Sequence, residues 1–168
     1  SISTTISANV GWNRAWYEYM RQNVMVPTIY DQVAAGMEIN SRLGKRVTFV
    51  YEGNYIHSAS RINDDVMHPI DGMNQNADFS VTFDKGFVLK AGVEHHFNNS
   101  VKGDDRNMLF ADASLVYKRG RFEYILEANN IFNTDTYSSF AYNDILSYSY
   151  TTSLRPFSLM LKVRFSLR

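Results

Sequence analysis

Drawn as an extended chain, the last twelve residues, Phe157 to Arg168, split into two faces. Phe157, Leu159, Leu161, Val163, Phe165 and Leu167 fall on one side, and Ser158, Met160, Lys162, Arg164, Ser166 and Arg168 on the other. A period of two marks a β-strand with one apolar face. The same alternation recurs upstream. Phe122, Tyr124, Leu126 and Ala128 alternate with Glu123, Ile125, Glu127 and Asn129, and Leu109, Ala111, Ala113, Leu115 and Tyr117 with Phe110, Asp112, Ser114, Val116 and Lys118. Phe87, Leu89, Ala91 and Val93 oppose Val88, Lys90, Gly92 and Glu94; Ala77, Phe79, Val81 and Phe83 oppose Asp78, Ser80, Thr82 and Asp84. Nearer the start, Val47, Phe49, Tyr51 and Tyr55 oppose Thr48, Val50, Glu52 and Asn54, and Val33, Ala35, Met37 and Ile39 oppose Gln32, Ala34, Gly36, Glu38 and Asn40. Ile6, Ala8, Val10 and Trp12, against Ser7, Asn9, Gly11 and Asn13, complete eight predicted strands.

The links between these runs are unequal. Short, Gly-bearing turns are predicted near 43–45, 84–86 and 118–120, and long polar connections near 15–28, 58–74, 98–107 and 132–147. Short turns at one end and long loops at the other is the asymmetry of bacterial outer-membrane barrels, whose turns are periplasmic. Both ends of the chain would then be periplasmic.

The two faces differ in charge. On the faces assigned outward, the eight strand cores carry no Asp, Glu, Lys or Arg. On the opposite faces stand Glu38, Glu52, Asp78, Lys90, Glu94, Asp112, Glu123, Glu127, Lys162 and Arg164. Enclosing so many charges in a dry core would be prohibitively costly. The expectation is therefore lipid on the apolar face, and a lumen or plug on the charged one. The fold class is all-β, with antiparallel up-and-down strands of a transmembrane β-barrel, forming a single unit over residues 1–168.

Composition agrees with this picture and narrows it. The chain has 168 residues and a formal net charge of zero, without the basic excess of a nucleic-acid partner, and 14% of it is aromatic. There is no cysteine for a disulfide, a thiol nucleophile or a thiolate metal site. No run approaches the ~18 apolar residues of a spanning helix. The opening Ser-Ile-Ser-Thr-Thr lacks a Met and a leader pattern, which suggests a mature form or a piece of something longer.

Two segments carry a resemblance. One is Glu127-Ala128-Asn129-Asn130-Ile131-Phe132-Asn133-Thr134-Asp135-Thr136-Tyr137, reached from Phe110–Lys118 through a turn; the other is Leu154-Arg155-Pro156, which opens the terminal run. Their order and spacing resemble the C-terminal end of TonB-dependent outer-membrane receptors, particularly those of Bacteroidetes with a carboxypeptidase-like regulatory extension. That resemblance implies a 22-stranded barrel closed by an N-terminal plug, importing a scarce ligand with energy relayed by TonB. This chain, with about eight strands and no plug, would be the C-terminal part. The partners implied are outer-membrane lipid, the N-terminal barrel strands and plug, TonB through the missing N-terminal part, and, as a further candidate, a surface lipoprotein.

Other chemistry is weaker. His95-His96 beside Glu94 suggests a metal site, but neighbours on a strand point to opposite faces. Asp64, Asp65, His68 and Asp71, or Asp104 and Asp105, suggest Ca²⁺, without EF-hand spacing. Tyr137, Phe140, Tyr142, Tyr148 and Tyr150 read as an outer aromatic girdle, with ligand stacking as the alternative. Asn98-Asn99-Ser100 matches a glycosylation signal that would be inert in a bacterium. No nucleophile–base pair or phosphate loop stands out, so no enzyme and no cofactor or metal is expected. The rival readings are a complete eight-stranded outer-membrane barrel with a structural or adhesive role, and a soluble ligand-binding barrel or interaction module.

Overall fold

The structure, a computed structural model, describes residues 2–63, 65–142 and 147–166, with the backbone alone at 104, 140–142, 147 and 148. It is all-β. The strands are β1 (Ile2–Arg21), β2 (Val24–Leu43), β3 (Val47–Ile62), β4 (Asp65–Val66), β5 (Ile70–Thr82), β6 (Phe87–Asn98), β7 (Asn107–Arg119), β8 (Phe122–Asn129), β9 (Thr136–Tyr142), β10 (Ser147–Ser153) and β11 (Ser158–Phe165). One antiparallel sheet runs β1-β2-β3-β5-β6-β7-β8-β11, with β4 attached to β3, while β9 and β10 form a separate hairpin between β8 and β11. Each expected strand is present, in the expected neighbour order. Among the described residues β1 and β11 remain the two edges of this sheet.

Three of the expected long links are not open loops. The 15–28 link is a continuation of β1 and β2, which pair out to Arg21 and Val24 around a turn at Gln22 and Asn23. Both turn residues have positive φ (51° and 62°), the geometry of a tight hairpin that matches strand twist. The 58–74 link is largely β3, β4 and the start of β5, and the 132–147 link holds β9 and the start of β10. The 98–107 link is a loop with one 3₁₀ turn at Gly103–Arg106.

Cross-strand register aligns the apolar residues. A single row of directly opposed partners, Ile2–Leu43–Val47–Val81–Leu89–Leu115–Leu126–Leu161, crosses all eight strands. Directly opposed side chains on one face touch, and this is the elementary stabilising unit of a sheet. Yet nothing covers this face: Val10 is 78% exposed and Leu161 69%. Among the described residues the buried hydrophobics are Val26, Met108, Ala111 and Ile125 alone. The sheet is held by its backbone ladder and lateral packing, not by a shared core.

The three short turns appear where expected, and each needs backbone that ordinary residues avoid. Gly44, Gly86 and Gly120 have φ of 67°, 85° and 60°. At Gly86 a β-carbon would also come 2.8 Å from the backbone oxygen of Lys118, whereas at Gly44 nothing lies within 4 Å. Gly86→Ala is therefore expected to cost about 2–3 kcal/mol and Gly44→Ala only about 1 kcal/mol. Denaturant unfolding in detergent micelles measures both, and equal costs would contradict this account of the 84–86 turn.

Candidate functional site

The ten charged residues expected on one face do share it. Register places Glu38 opposite Glu52, Glu52 opposite Asn76 and Asn76 opposite Glu94 in one row. The next row holds Asp78, Gly92 and Asp112, and the one after it Ser80, Lys90, Ser114 and Glu127. Glu123, Lys162 and Arg164 lie on the same face towards the turn end, where Arg164 opposes Glu123.

Charge on this face is unevenly matched. Lys162 Nζ lies 2.6 Å from Glu127, and Glu123 is flanked by Lys118 at 3.2 Å and Arg164 at 3.6 Å. Such exposed pairs contribute about 0–1 kcal/mol each, so their role is chiefly to fix the local pattern. Further along the sheet the carboxylates dominate. Glu38 accepts a hydrogen bond from the Asn40 amide, Glu94 lies 3.6 Å from His96, and Asp112 accepts the backbone N–H of Asn130 at 2.7 Å. A concave trough of about 1030 Å³ runs over this face, lined among others by Asp78, Lys90, Glu94, Asp112, Glu127 and Arg155. A smaller hollow of about 350 Å³ lies beside Asn9, Glu38, Glu52 and Asn54.

The end of the trough is built by the Asn-rich segment after β8. Asn130 and Asn133 both adopt left-handed backbone (φ 52° and 53°), which Asn tolerates better than most residues. The Asn130 side-chain amide donates to the carbonyls of Thr134 at 2.8 Å and Arg155 at 2.9 Å, while its oxygen accepts the Thr134 N–H at 2.9 Å. Asn133 accepts the N–H of Phe157 at 2.9 Å. These bonds tie the entrance of the β9–β10 hairpin to its exit, so the Leu154-Arg155-Pro156 segment is delivered to the start of β11.

That hairpin folds onto the charged face. Both oxygens of Asp105 accept hydroxyls from β9, Ser138 at 2.7 Å and Thr136 at 3.2 Å. The Tyr137 ring stands edge-on to His96 at 5.8 Å and is tilted against Phe110 at 6.4 Å. Tyr137 thus corrects the girdle reading, since its ring meets residues of the charged face. Tyr150 is exposed, and the side chains of Phe140, Tyr142 and Tyr148 lie outside the described residues.

The apolar face ends in aromatics at both margins. At the turn end Phe87 stacks on Tyr117 at 4.2 Å, Tyr117 on Tyr124, Tyr124 on Phe122, and Phe122 packs on Phe165 at 5.0 Å. At the loop end Arg14 lies over Trp12 at 5.5 Å and Trp16 at 5.8 Å, and binds Asp31 through two nitrogens at 2.6 and 2.8 Å. The Arg14 guanidinium holds the Asp31 carboxyl below its usual range. Asp71, in the row Trp12–Val33–His57–Asp71, accepts the Tyr55 hydroxyl at 2.6 Å and the Asn99 amide at 3.0 Å, and lies 2.7 Å from His57. These outward-face charges lie past the strand cores read from the sequence. They could have been found there, because Trp12-Asn13-Arg14-Ala15-Trp16 puts all three large groups on one face at period two.

The suspected metal groups come apart. His95 opposes Gln75 on the apolar face, and His96 opposes Asn74 on the charged one. Asp71 and Asp105 are engaged as described, Asp64 lies outside the described residues, and the Asp104 side chain is not described. Among the described residues no group of three or more His, Asp or Glu is placed to hold a metal ion. No family model matches the chain, nor does any curated protein or solved structure.

The Asn130 bonds supply the test of this site. Asn130→Ala should lower stability by about 2–3 kcal/mol, since three hydrogen bonds and a favoured left-handed residue are lost together. Asn130→Gly restores the backbone freedom alone and should recover less than half. Denaturant midpoints in micelles measure this, and full recovery by Gly would assign the effect to the backbone rather than the amide.

Proposed function

We propose that this chain is a segment of an outer-membrane β-barrel, the C-terminal part of a receptor of the TonB-dependent kind that takes up a scarce ligand. The observation that carries the membrane reading is the bare apolar face, continuous over eight strands and opposed by a charged one. In water such a face would drive aggregation. In a bilayer it is the outer wall.

Dimensions support the reading. A barrel strand crosses the hydrocarbon with ~9–11 residues and has aromatics at both interfaces. On β7 the apolar positions run from Leu109 to Tyr117, and on β1 from Ile2 to Trp12. The Phe87–Tyr117–Tyr124–Phe122–Phe165 stack would then mark the periplasmic interface, and Trp12 with Trp16 the outer one. The charged face would line the lumen, with its carboxylates meeting water, ligand or the plug.

A closed barrel of these eight strands alone fits less well. It would require β1 and β11 to pair, and an eight-stranded interior has room only for side chains. The trough and the inward-folded hairpin need more space. The receptor kind rests on the resemblance of Asn129–Tyr137 and Leu154–Pro156, with the plug, TonB and a surface lipoprotein as the partners it brings. The role proposed is transport, not catalysis.

Two experiments test this reading. Trp12 and Trp16 are the chain's two tryptophans. In vesicles of brominated lipid their fluorescence should be quenched more by bromines near the headgroups than by bromines near the bilayer centre. Absence of quenching would exclude the membrane placement. Leu161→Arg should weaken folding into bilayers by about 2–4 kcal/mol, because a charge on the lipid face near the midplane is costly there. Lys162→Ala, on the other face, should be far milder. Similar losses at the two positions, read as the folded fraction on unheated SDS gels, would overturn the assignment of faces.

A further inference from the structure

We propose that the turn end of the sheet is an anchor for anionic phospholipid headgroups, built from Lys45, Lys85, Arg119 and Arg121 just outside the aromatic margin of the apolar face. The inference rests on the membrane placement above and adds the lipid chemistry at one of its two margins.

A net charge of zero conceals an uneven distribution. The short turns read Leu43-Gly44-Lys45-Arg46, Asp84-Lys85-Gly86 and Lys118-Arg119-Gly120-Arg121, with Asp84 their one acidic residue. The structure brings these turns together. Arg46 binds both oxygens of Asp84, at 2.7 and 3.2 Å, which joins the first turn to the second. The second sits on the third, since a β-carbon at Gly86 would meet the Lys118 backbone oxygen at 2.8 Å. The third reaches the end of β11, where the Arg121 carbonyl accepts the N–H of Ser166 at 3.1 Å. Positive charge from separate stretches of the chain is thereby gathered into one band across the sheet.

The band keeps much of its charge. Asp84 neutralises Arg46, and Glu123 lies 3.2 Å from Lys118. Among the described residues no carboxylate pairs with Lys45, Lys85, Arg119 or Arg121, and each of these side chains is exposed. Arg119 stands on the apolar face directly opposite Phe122, whose ring packs on Phe165. Lys85 lies just before Phe87, which stacks on Tyr117. Cations immediately beyond an aromatic margin meet a bilayer at the depth of its phosphates. Turn cations often serve solubility alone, but a solubilising surface intersperses both signs, and here the acidic share is missing. The other margin shows the contrast. Arg14, over Trp12 and Trp16, is bound through two nitrogens by Asp31, so its charge is already matched. The turn end is the margin with positive charge left for a phosphate.

Urea unfolding of the protein in vesicles reads the anchor. Adding phosphatidylglycerol to phosphatidylcholine vesicles at low salt should raise the folded-to-unfolded ratio about a hundredfold, and salt at about 1 M should remove the gain. Combining Lys45→Gln, Lys85→Gln, Arg119→Gln and Arg121→Gln should abolish most of the gain and change little in pure phosphatidylcholine. Lys85→Gln with Arg121→Gln should reduce it to about tenfold, a test that holds even where the fuller variant folds poorly. Arg21→Gln with Lys102→Gln, at the loop end, should leave it intact. Absence of a gain in the natural sequence would overturn the proposal, as would an undiminished gain in the turn variants or an equal loss in the loop-end one. Inorganic phosphate added to phosphatidylcholine vesicles should do nothing; an equal gain from it would assign the band to a soluble anion instead. Brominated lipid in the same vesicles tests placement separately. Quenching of Trp12 and Trp16 without a phosphatidylglycerol effect removes the anchor alone, whereas absence of quenching removes the membrane placement and the anchor with it.

Discussion

If β2 and β3 slipped past each other by one residue, Glu52 would move to the face that carries Ile39 while Tyr51 joined Glu38, and every later strand would have to follow or break its ladder. Side chains alternate at a period of two, so a one-residue shift exchanges the faces completely. In a protein with a packed core, misregister is penalised by interior contacts. Here the apolar side is bare and the buried hydrophobics are few. The penalty must come from the environments on the two sides of the sheet and from turns that admit a single pairing. Register is thus the constraint through which an apolar row from Ile2 to Leu161 and a charged trough can coexist in one sheet.

The turns impose that register locally. Gln22 and Asn23, Lys85 and Gly86, Gly44 and Gly120 all take positive φ, and each occurs where two long strands reverse. Asn130 and Asn133 do the same at a harder junction, where β8 must be left and β11 reached beside it after a long excursion. Two carbonyls and a backbone N–H converge on the Asn130 amide. The excursion therefore begins and ends at one point, and its length does not disturb the Glu127–Met160 and Leu126–Leu161 pairings. The segment that looked like a family signature in the sequence thereby acquires a physical role.

How much of this was legible beforehand follows from which signals are local. Strand faces, neighbour order and the Gly-bearing turns are written in alternation and turn residues, and they were readable. The extension of β1 and β2 to Arg21 and Val24 was not, because Trp16 and Met20 on one face are matched by Tyr17 and Tyr19 on the other, and the contrast vanishes. Pro27, of a residue type that disfavours a strand interior, also lies there. It is tolerated because β3 pairing begins only at Thr28–Ile62, so the missing N–H costs no ladder bond at that edge. The Ser, Thr and Tyr residues of β9 and β10 have no apolar face to read. Their docking on Asp105, and the bond from Asn130 to Arg155, join residues more than twenty positions apart and have no one-dimensional trace.

The charged face carries its own argument about surroundings. Carboxylates directly opposite on adjacent strands, as Glu38 and Glu52 are, repel each other, with an energy that is small in water and grows as the dielectric falls. Where cations are supplied, at Lys118, Lys162 and Arg164, the face neutralises itself. Across β2, β3, β5 and β6 the four carboxylates Glu38, Glu52, Asp78 and Glu94 outnumber the two cations Arg42 and Lys90, so that part of the surface suits water or a partner bringing positive charge. The apolar face demands the opposite medium. The proposed placement at the wall of an aqueous passage through a membrane would meet both demands, one set by charge and the other by its absence.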